Sequence, residues 1–197
     1  EFLFKSATYD FSATNTSYFG RHAATYGANY RGINFDLSIA PDEDFRSEFG
    51  GFVNFDLNFN EYFSLDAGVR VDKFNILEDV VVSPRGALLV RPTGSSNHVL
   101  RAGFGRAFRA PSMINNFLDV TIFNQVLLPT GPYVFPSRGV GNPNLTEERL
   151  DQIEFGYRGA MFDGRFSWDI AVYRTETKDS IDFYTSGVYT AFSPPPG

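Results

Sequence analysis

Few residues here could do covalent or metal chemistry. The 197-residue chain has two histidines, His22 and His98, and no cysteine. Without a thiol there is no cysteine nucleophile, no disulfide and no thiolate metal site. Both histidines flank segments that read as turns, so they read as solvated turn residues rather than parts of a Ser–His–Asp or His-rich metal site. The acidic run Asp42-Glu43-Asp44 offers oxygen ligands of the kind calcium takes. It lacks the regular spacing of a calcium loop, and a solvated charge run is the plainer reading. Gly103 and Gly105 lie inside an alternating strand pattern, so they form no phosphate-binding loop. The reading assigns no catalytic residue, no metal and no cofactor, and the protein is not read as an enzyme.

The informative charges are those that alternate with apolar residues. Phe63, Leu65, Ala67, Val69 and Val71 fall on one side of a strand, and Ser64, Asp66, Gly68, Arg70 and Asp72 on the other. The same period recurs with Arg101 in 100–106, with Glu154 and Arg158 in 152–158, and with Asp169 in 166–173. A clean alternation without charge covers 53–59 apart from Asp56, a weaker one covers 24–31, and 85–90 alternates poorly. Strands are expected at 1–12, 23–31, 48–59, 63–75, 84–92, 98–107, 149–161 and 165–177, although Lys5 stands where an apolar residue is wanted.

Around these elements the links alternate in length. Short polar links are expected near 13–19, 60–62, 93–97 and 163–164, and longer ones near 32–47, 77–83 and 108–148. Phe, Tyr and Trp make up 17% of the chain, yet mean hydropathy is only −0.19. A surface that meets both lipid and water has this mixture. The aromatics Phe11, Tyr18, Phe19, Phe59, Tyr62, Phe63, Phe162, Phe166 and Trp168 gather near the short links, as in a girdle at a lipid–water boundary. Half-buried strand aromatics are the plainer alternative.

No stretch reads as a membrane-spanning helix. The longest uncharged run, 120–137, contains Pro129, Gly131, Pro132 and Pro136, which would break one repeatedly. Only closed barrels and helices satisfy every backbone group in lipid, so a membrane location requires strands. Lys and Arg number 17 against 23 Asp and Glu, a net charge of −6, which suggests no nucleic-acid partner. The start at Glu1 and the closing Ser193-Pro-Pro-Pro-Gly197 are read as an internal segment of a longer protein.

Three stretches then resemble the TonB-dependent outer-membrane receptor family. They are Ser83-Pro84-Arg85 opening a strand, LRAGFGRAFRAPS at 100–112, and GNPNLTEE at 141–148 leading into QIEFGY at 152–157. The matching positions are Ser83, Pro84, Arg85, Arg106, Phe108, Arg109, Pro111, Asn142, Pro143 and Glu147. Pro111 cannot extend a ladder, and Asn142-Pro143 opens a turn, so the motifs read first as joints between strand and loop and only second as ligand contacts. Guanidinium groups at the strand exit, on Arg106 and Arg109, suit loop carboxylates or lipid phosphates.

The resemblance implies an all-β, antiparallel, up-and-down transmembrane barrel, here about eight strands of a wall that in the family has about 22. It implies a bacterial outer-membrane location. The implied function is uptake of a scarce nutrient, such as a ferric siderophore or cobalamin, nearer to those types than to the glycan type. The implied partners are outer-membrane lipid, the protein's own plug domain, the TonB-ExbB-ExbD complex acting through that plug, and a small nutrient ligand. Asp66, Arg70, Asp72, Arg101, Glu154, Arg158 and Asp169 are expected to line the interior or touch the plug. Phe117, Phe123, Asn124, Gln125, Tyr133 and Phe135 are the loop candidates for ligand contact. A small complete barrel acting as adhesin or pore stays open, as does a soluble β-sandwich, which would need its apolar faces to meet each other.

Overall fold

The computed structural model describes residues 4–40, 44–129 and 131–187. Eight strands form one antiparallel sheet: β1 Phe4–Phe19, β2 His22–Leu37, β3 Phe45–Asn58, β4 Phe63–Phe74, β5 Val81–Val90, β6 His98–Arg109, β9 Glu148–Met161 and β10 Phe166–Lys178. Between β6 and β9 lie a five-residue helix, α1 Met113–Phe117, and a separate hairpin of β7 Asp119–Leu128 and β8 Gly131–Val140. Neighbours in the sheet are also neighbours in sequence except β6 and β9, which the hairpin insertion separates. Among the described residues no helix is long and apolar enough to cross a membrane.

Paired residues in an antiparallel ladder share a face, so the register assigns every side chain to one of two surfaces. Across β6, β9 and β10 the rows His98–Gly159–Trp168, Leu100–Tyr157–Ile170 and Ala102–Phe155–Val172 make one surface apolar. That surface carries Phe55, Val69 and Leu88 on β3, β4 and β5. It has no cover among the described residues: Phe155 is 63% exposed, Ile170 60% and Val172 70%. A soluble protein would not leave so continuous an apolar surface in water. The second layer that a β-sandwich requires is absent among the described residues.

Several boundaries differ from the expected ones. The first link was expected at 13–19, but β1 runs to Phe19 and turns at Gly20 and Arg21, with Gly20 at φ 64°. The polar run does not break the strand because it is satisfied across it. Thr16 and Thr25 hydroxyls lie 3.0 Å apart, and Asn15 Nδ2 donates to the Tyr26 hydroxyl at 2.9 Å. As a result Phe11 pairs with Tyr30 far from the turn, and Tyr18 falls on the polar surface, so neither belongs to the girdle. Of the strand expected at 1–12, residues 1–3 lie outside the described residues, as do Asp42 and Glu43. The long link expected at 32–47 shrinks, because β2 continues to Leu37 and β3 begins at Phe45. β5 starts at Val81 and carries Pro84 just before its ladder with β6 begins at Arg85–Gly105, where a missing N–H costs no bond on that side.

The expected irregular loop at 108–148 is replaced by the upper end of β6, by α1 and by the β7–β8 hairpin. The hairpin escaped period-2 reading because both of its faces are apolar: Phe123 and Leu127 on one, Ile122 and Val126 on the other. The histidines are not solvated turn residues either. His22 Nδ1 accepts the Asn58 N–H at 3.0 Å, and its ring lies between Phe19 and Phe59. His98 stacks on Tyr157, whose hydroxyl is 2.9 Å from its Nδ1, and sits beside Trp168. Both belong to aromatic clusters at the short-link end of the sheet.

Candidate functional site

The polar surface is built by guanidinium groups that reach across neighbouring strands. Arg101 on β6 donates from Nε to Glu154 at 2.7 Å and from Nη1 to both oxygens of Asp169 at 2.9 and 3.0 Å. Glu154 is on β9 and Asp169 on β10, so the side chain crosses β9 to reach the next strand. It passes over Gly156, its register partner, where a Cβ would sit 2.5 Å from Arg101 Nε. Arg70 on β4 repeats the device. It lies over Gly50 on β3 and reaches Asn29 on β2 at 2.7 Å, while binding Asp72 through Nε and Nη2 at 2.8 and 2.5 Å. Arg85 on β5 reaches Asn54 on β3 at 2.9 Å across Gly68, whose Cβ would meet Asn54 Oδ1 at 2.3 Å.

These contacts place the sequence candidates. Asp66, Arg70, Asp72, Arg101, Glu154, Arg158 and Asp169 all fall on this one surface by register. Asp72 is 1% exposed and lies against Arg70, with Glu48 3.6 Å from the same guanidinium. A buried carboxylate is tolerable only with such partners. Sequence reading missed the enabling residues Gly50, Gly68, Gly156, Asn29 and Asn54. The available signal was a glycine in one strand at the height of an arginine in the next, which requires the register to see. Between the arginines, Asp66, Arg85, Arg101, Gly103, Gly105 and Glu154 line a hollow of about 550 Å³ on this surface.

The long-link end is organised separately. Phe74, Leu77 and Val81 form a buried apolar cluster, against which Ile76, Phe108 and Ala110 pack. The Phe74 and Phe108 rings meet edge-on at 5.7 Å. This cluster anchors the chain as it leaves β6. Arg46 on β3 then donates to the Pro111 carbonyl at 3.0 Å, and the Asp119 N–H bonds the Ile39 carbonyl at 2.8 Å. The segment therefore runs over the sheet end from β6 toward the β2–β3 link.

The two motif halves meet there. Ser112 caps α1: its hydroxyl accepts the Asn115 N–H, while Asn115 Oδ1 accepts the Ser112 N–H at 3.0 Å. Asn116, 2% exposed, donates from Nδ2 to the Asn142 carbonyl at 3.2 Å. Gly141 packs so closely that a Cβ would lie 2.5 Å from the Asn116 carbonyl. The Asn142 side chain accepts the Asn144 N–H, closing the turn before Pro143 and Glu147 lead into β9. Arg109 binds Glu148, and Arg106 binds Asp151 at 2.6 Å. Ser83, Pro84 and Arg85 lie within β5, with Ser83 opposite Arg70.

The six loop candidates are not gathered on one surface. Phe117 ends α1. Asn124, Tyr133 and Phe135 share one face of the hairpin, with the two rings stacked at 6.2 Å, whereas Phe123 and Gln125 are on the other. Asp119 and Arg138 clamp the hairpin base at 3.0 Å, and this hydrogen bond holds the Asp119 carboxyl below its usual range.

The model of the TonB-dependent receptor-like β-barrel family matches residues 2–194. The chain belongs to the TonB-dependent receptor β-barrel family. Members of this family are bacterial outer-membrane transporters and receptors, and the eight-stranded sheet is a stretch of such a barrel. Among solved structures, the receptor sheet is similar to the siderophore receptor PirA from Pseudomonas aeruginosa, with TM-score 0.72, 16% identity, and coverage of 89% of this chain and 33% of that one. It is also similar to the Serratia marcescens hemophore receptor HasR, solved with its hemophore HasA and heme, with TM-score 0.69, 19% identity, and coverage of 88% and 33%. The chain thus spans about a third of the length of each. Among curated proteins nothing matches.

Proposed function

We propose that this chain forms part of the wall and mouth of an outer-membrane receptor that imports a scarce nutrient. The apolar surface faces lipid and the arginine-crossed surface faces the interior, where it meets the receptor's plug. The single observation that carries this reading is the pairing of an uncovered apolar surface with a wired polar one in the same sheet. Charges on the outward surface would cost several kcal/mol near the bilayer midplane, roughly 2–4 for Arg or Lys. On the inward surface they stiffen the wall.

The ligand is bound at the external end, where the hairpin of β7 and β8 stands on the Asn116 joint. Its stacked Tyr133 and Phe135 with Asn124 form the contact face. The ligand class is a ferric siderophore, with cobalamin or haem as the related possibilities. Energy arrives from the TonB-ExbB-ExbD complex through the plug, and the protein performs no bond chemistry of its own.

The test uses the full-length receptor in its bacterial host. Deleting residues 119–140 and closing the gap with a short Gly/Ser link should abolish uptake of the ferric siderophore. Heat-modifiable gel mobility, the mark of a folded barrel, should survive. Unchanged uptake by a correctly folded deletion would remove the hairpin from ligand recognition. A receptor that stays soluble without detergent would remove the membrane reading altogether.

A further inference from the structure

The β7–β8 hairpin shares no ladder with the wall, so point contacts set its place over the sheet end. The wall itself is open beneath it. The β5–β6 ladder runs from Val90–Leu100 to Arg85–Gly105 and stops, and residues 106–109 of β6 pair with β9 alone. The chain that leaves β6 is therefore not held by β5 and needs other support.

Both legs of the hairpin are tied to α1. The Gly141 N–H donates to the Leu118 carbonyl at 2.7 Å and the Asn142 N–H to the Asn115 carbonyl at 2.9 Å, while Asn116 Nδ2 reaches the Asn142 carbonyl. Helix and hairpin thus form one unit. This unit meets β2–β5 and their links through Phe108 and Ala110 against the Phe74 cluster, through the Asp119 N–H on the Ile39 carbonyl, and through Arg46 Nη1 on the Pro111 carbonyl at 3.0 Å.

These contacts differ in kind. Apolar packing is non-directional and tolerates sliding. The Ile39 bond joins one link to another. Arg46 alone gives a directed bond from a side chain of a wall strand. Its guanidinium lies over the Phe74 ring, 5.1 Å from the centroid, so the cluster fixes the group and Nη1 fixes the carbonyl. Glu48, two residues on along the same surface, is instead 3.6 Å from Arg70.

We propose that Arg46 is the positioning residue of the ligand hairpin. It acts through the Pro111 carbonyl on α1, and so on the face that carries Asn124, Tyr133 and Phe135. The inference rests on the reading of that face as the ligand contact, but the position is measured without a ligand.

The experiment uses the full-length receptor in detergent with spin labels at Asp36→Cys on β2 and Leu127→Cys on the hairpin face opposite Tyr133. These 197 residues hold no cysteine of their own, and any elsewhere in the receptor is changed to serine. The label-to-label distance distribution should be narrow in this background. Arg46→Met keeps a long side chain against Phe74 but has no donor, and should widen the distribution about twofold. Arg46→Lys keeps a donor and should stay within the background width. If Arg46→Met loses heat-modifiable mobility, Arg46→Gln, too short to reach the carbonyl, reads the same width. An unchanged width in the folded Met or Gln variant overturns the assignment. So does a width in Arg46→Lys as large as that in Arg46→Met. Uptake that survives deletion of 119–140 would fail the ligand reading alone, and a widened distribution in Arg46→Met would still stand beside it.

Discussion

Arg101 and Asp169 are joined across an intervening strand, with Nη1 2.9 Å from Oδ1, because Gly156 leaves the space between them empty. The same geometry links Arg70 to Asn29 over Gly50. Each crossing ties three strands by side chains as well as by backbone ladders.

Gly156→Ala should therefore displace Arg101 and break its hold on Asp169, since a Cβ would lie 2.5 Å from the guanidinium nitrogen. A measurable loss of stability is expected, from the unmaking of the charge-assisted bonds between Arg101 and Asp169. Gly105→Ala, where a Cβ meets nothing within 4 Å, should be neutral. Denaturant unfolding of the full-length receptor in detergent compares the two.

Val69→Arg puts a charge on the lipid-facing surface and should cost roughly 2–4 kcal/mol of membrane stability. By face assignment alone Arg70→Val is the milder change. The structure removes that margin, because Asp72 is buried against Arg70 and would be left unpaired, at a cost of about 3–5 kcal/mol. The double variant Arg70→Val/Asp72→Ala should then be less damaged than Arg70→Val, as judged by heat-modifiable mobility. A double variant worse than the single one would show that the Asp72 carboxylate has other support.

Phe74→Ala should cost about 3 kcal/mol by opening the cluster with Leu77, Val81 and Phe108. The loss should be local. Faster hydrogen exchange is expected over 110–118, with the ladder between β9 and β10 unchanged.

The hairpin base should weaken in acid. Arg138 lowers the Asp119 carboxyl below its ordinary value, so the pair stabilises the folded hairpin at every pH above that ordinary value, about 3.9. The contribution fades as pH falls below it and is gone once pH passes the lowered folded value. Exchange across β7 and β8, corrected for intrinsic rates, should rise as pH falls below about 4 in the wild type, and stay flat in Asp119→Asn.

The alternation from Phe63 to Asp72 determined the strand, its two surfaces and the demand that one of them meet something oily. A period of two is a local property of extended chain, so residue order alone exposes it. Together with the motifs at 83–85, 100–112 and 141–148, it was enough to read a receptor wall. The hairpin at 119–140 was hidden because apolar residues on both faces erase the period. The β1 turn was misplaced because the bonds that satisfy Asn15 and Thr16 come from another strand. Only the tertiary structure decided which residues stand opposite one another. Register is a relation between distant segments, and it shows that Gly156 lies beneath Arg101, while the fold of the long-link end shows that Asn116 holds Gly141 and Asn142.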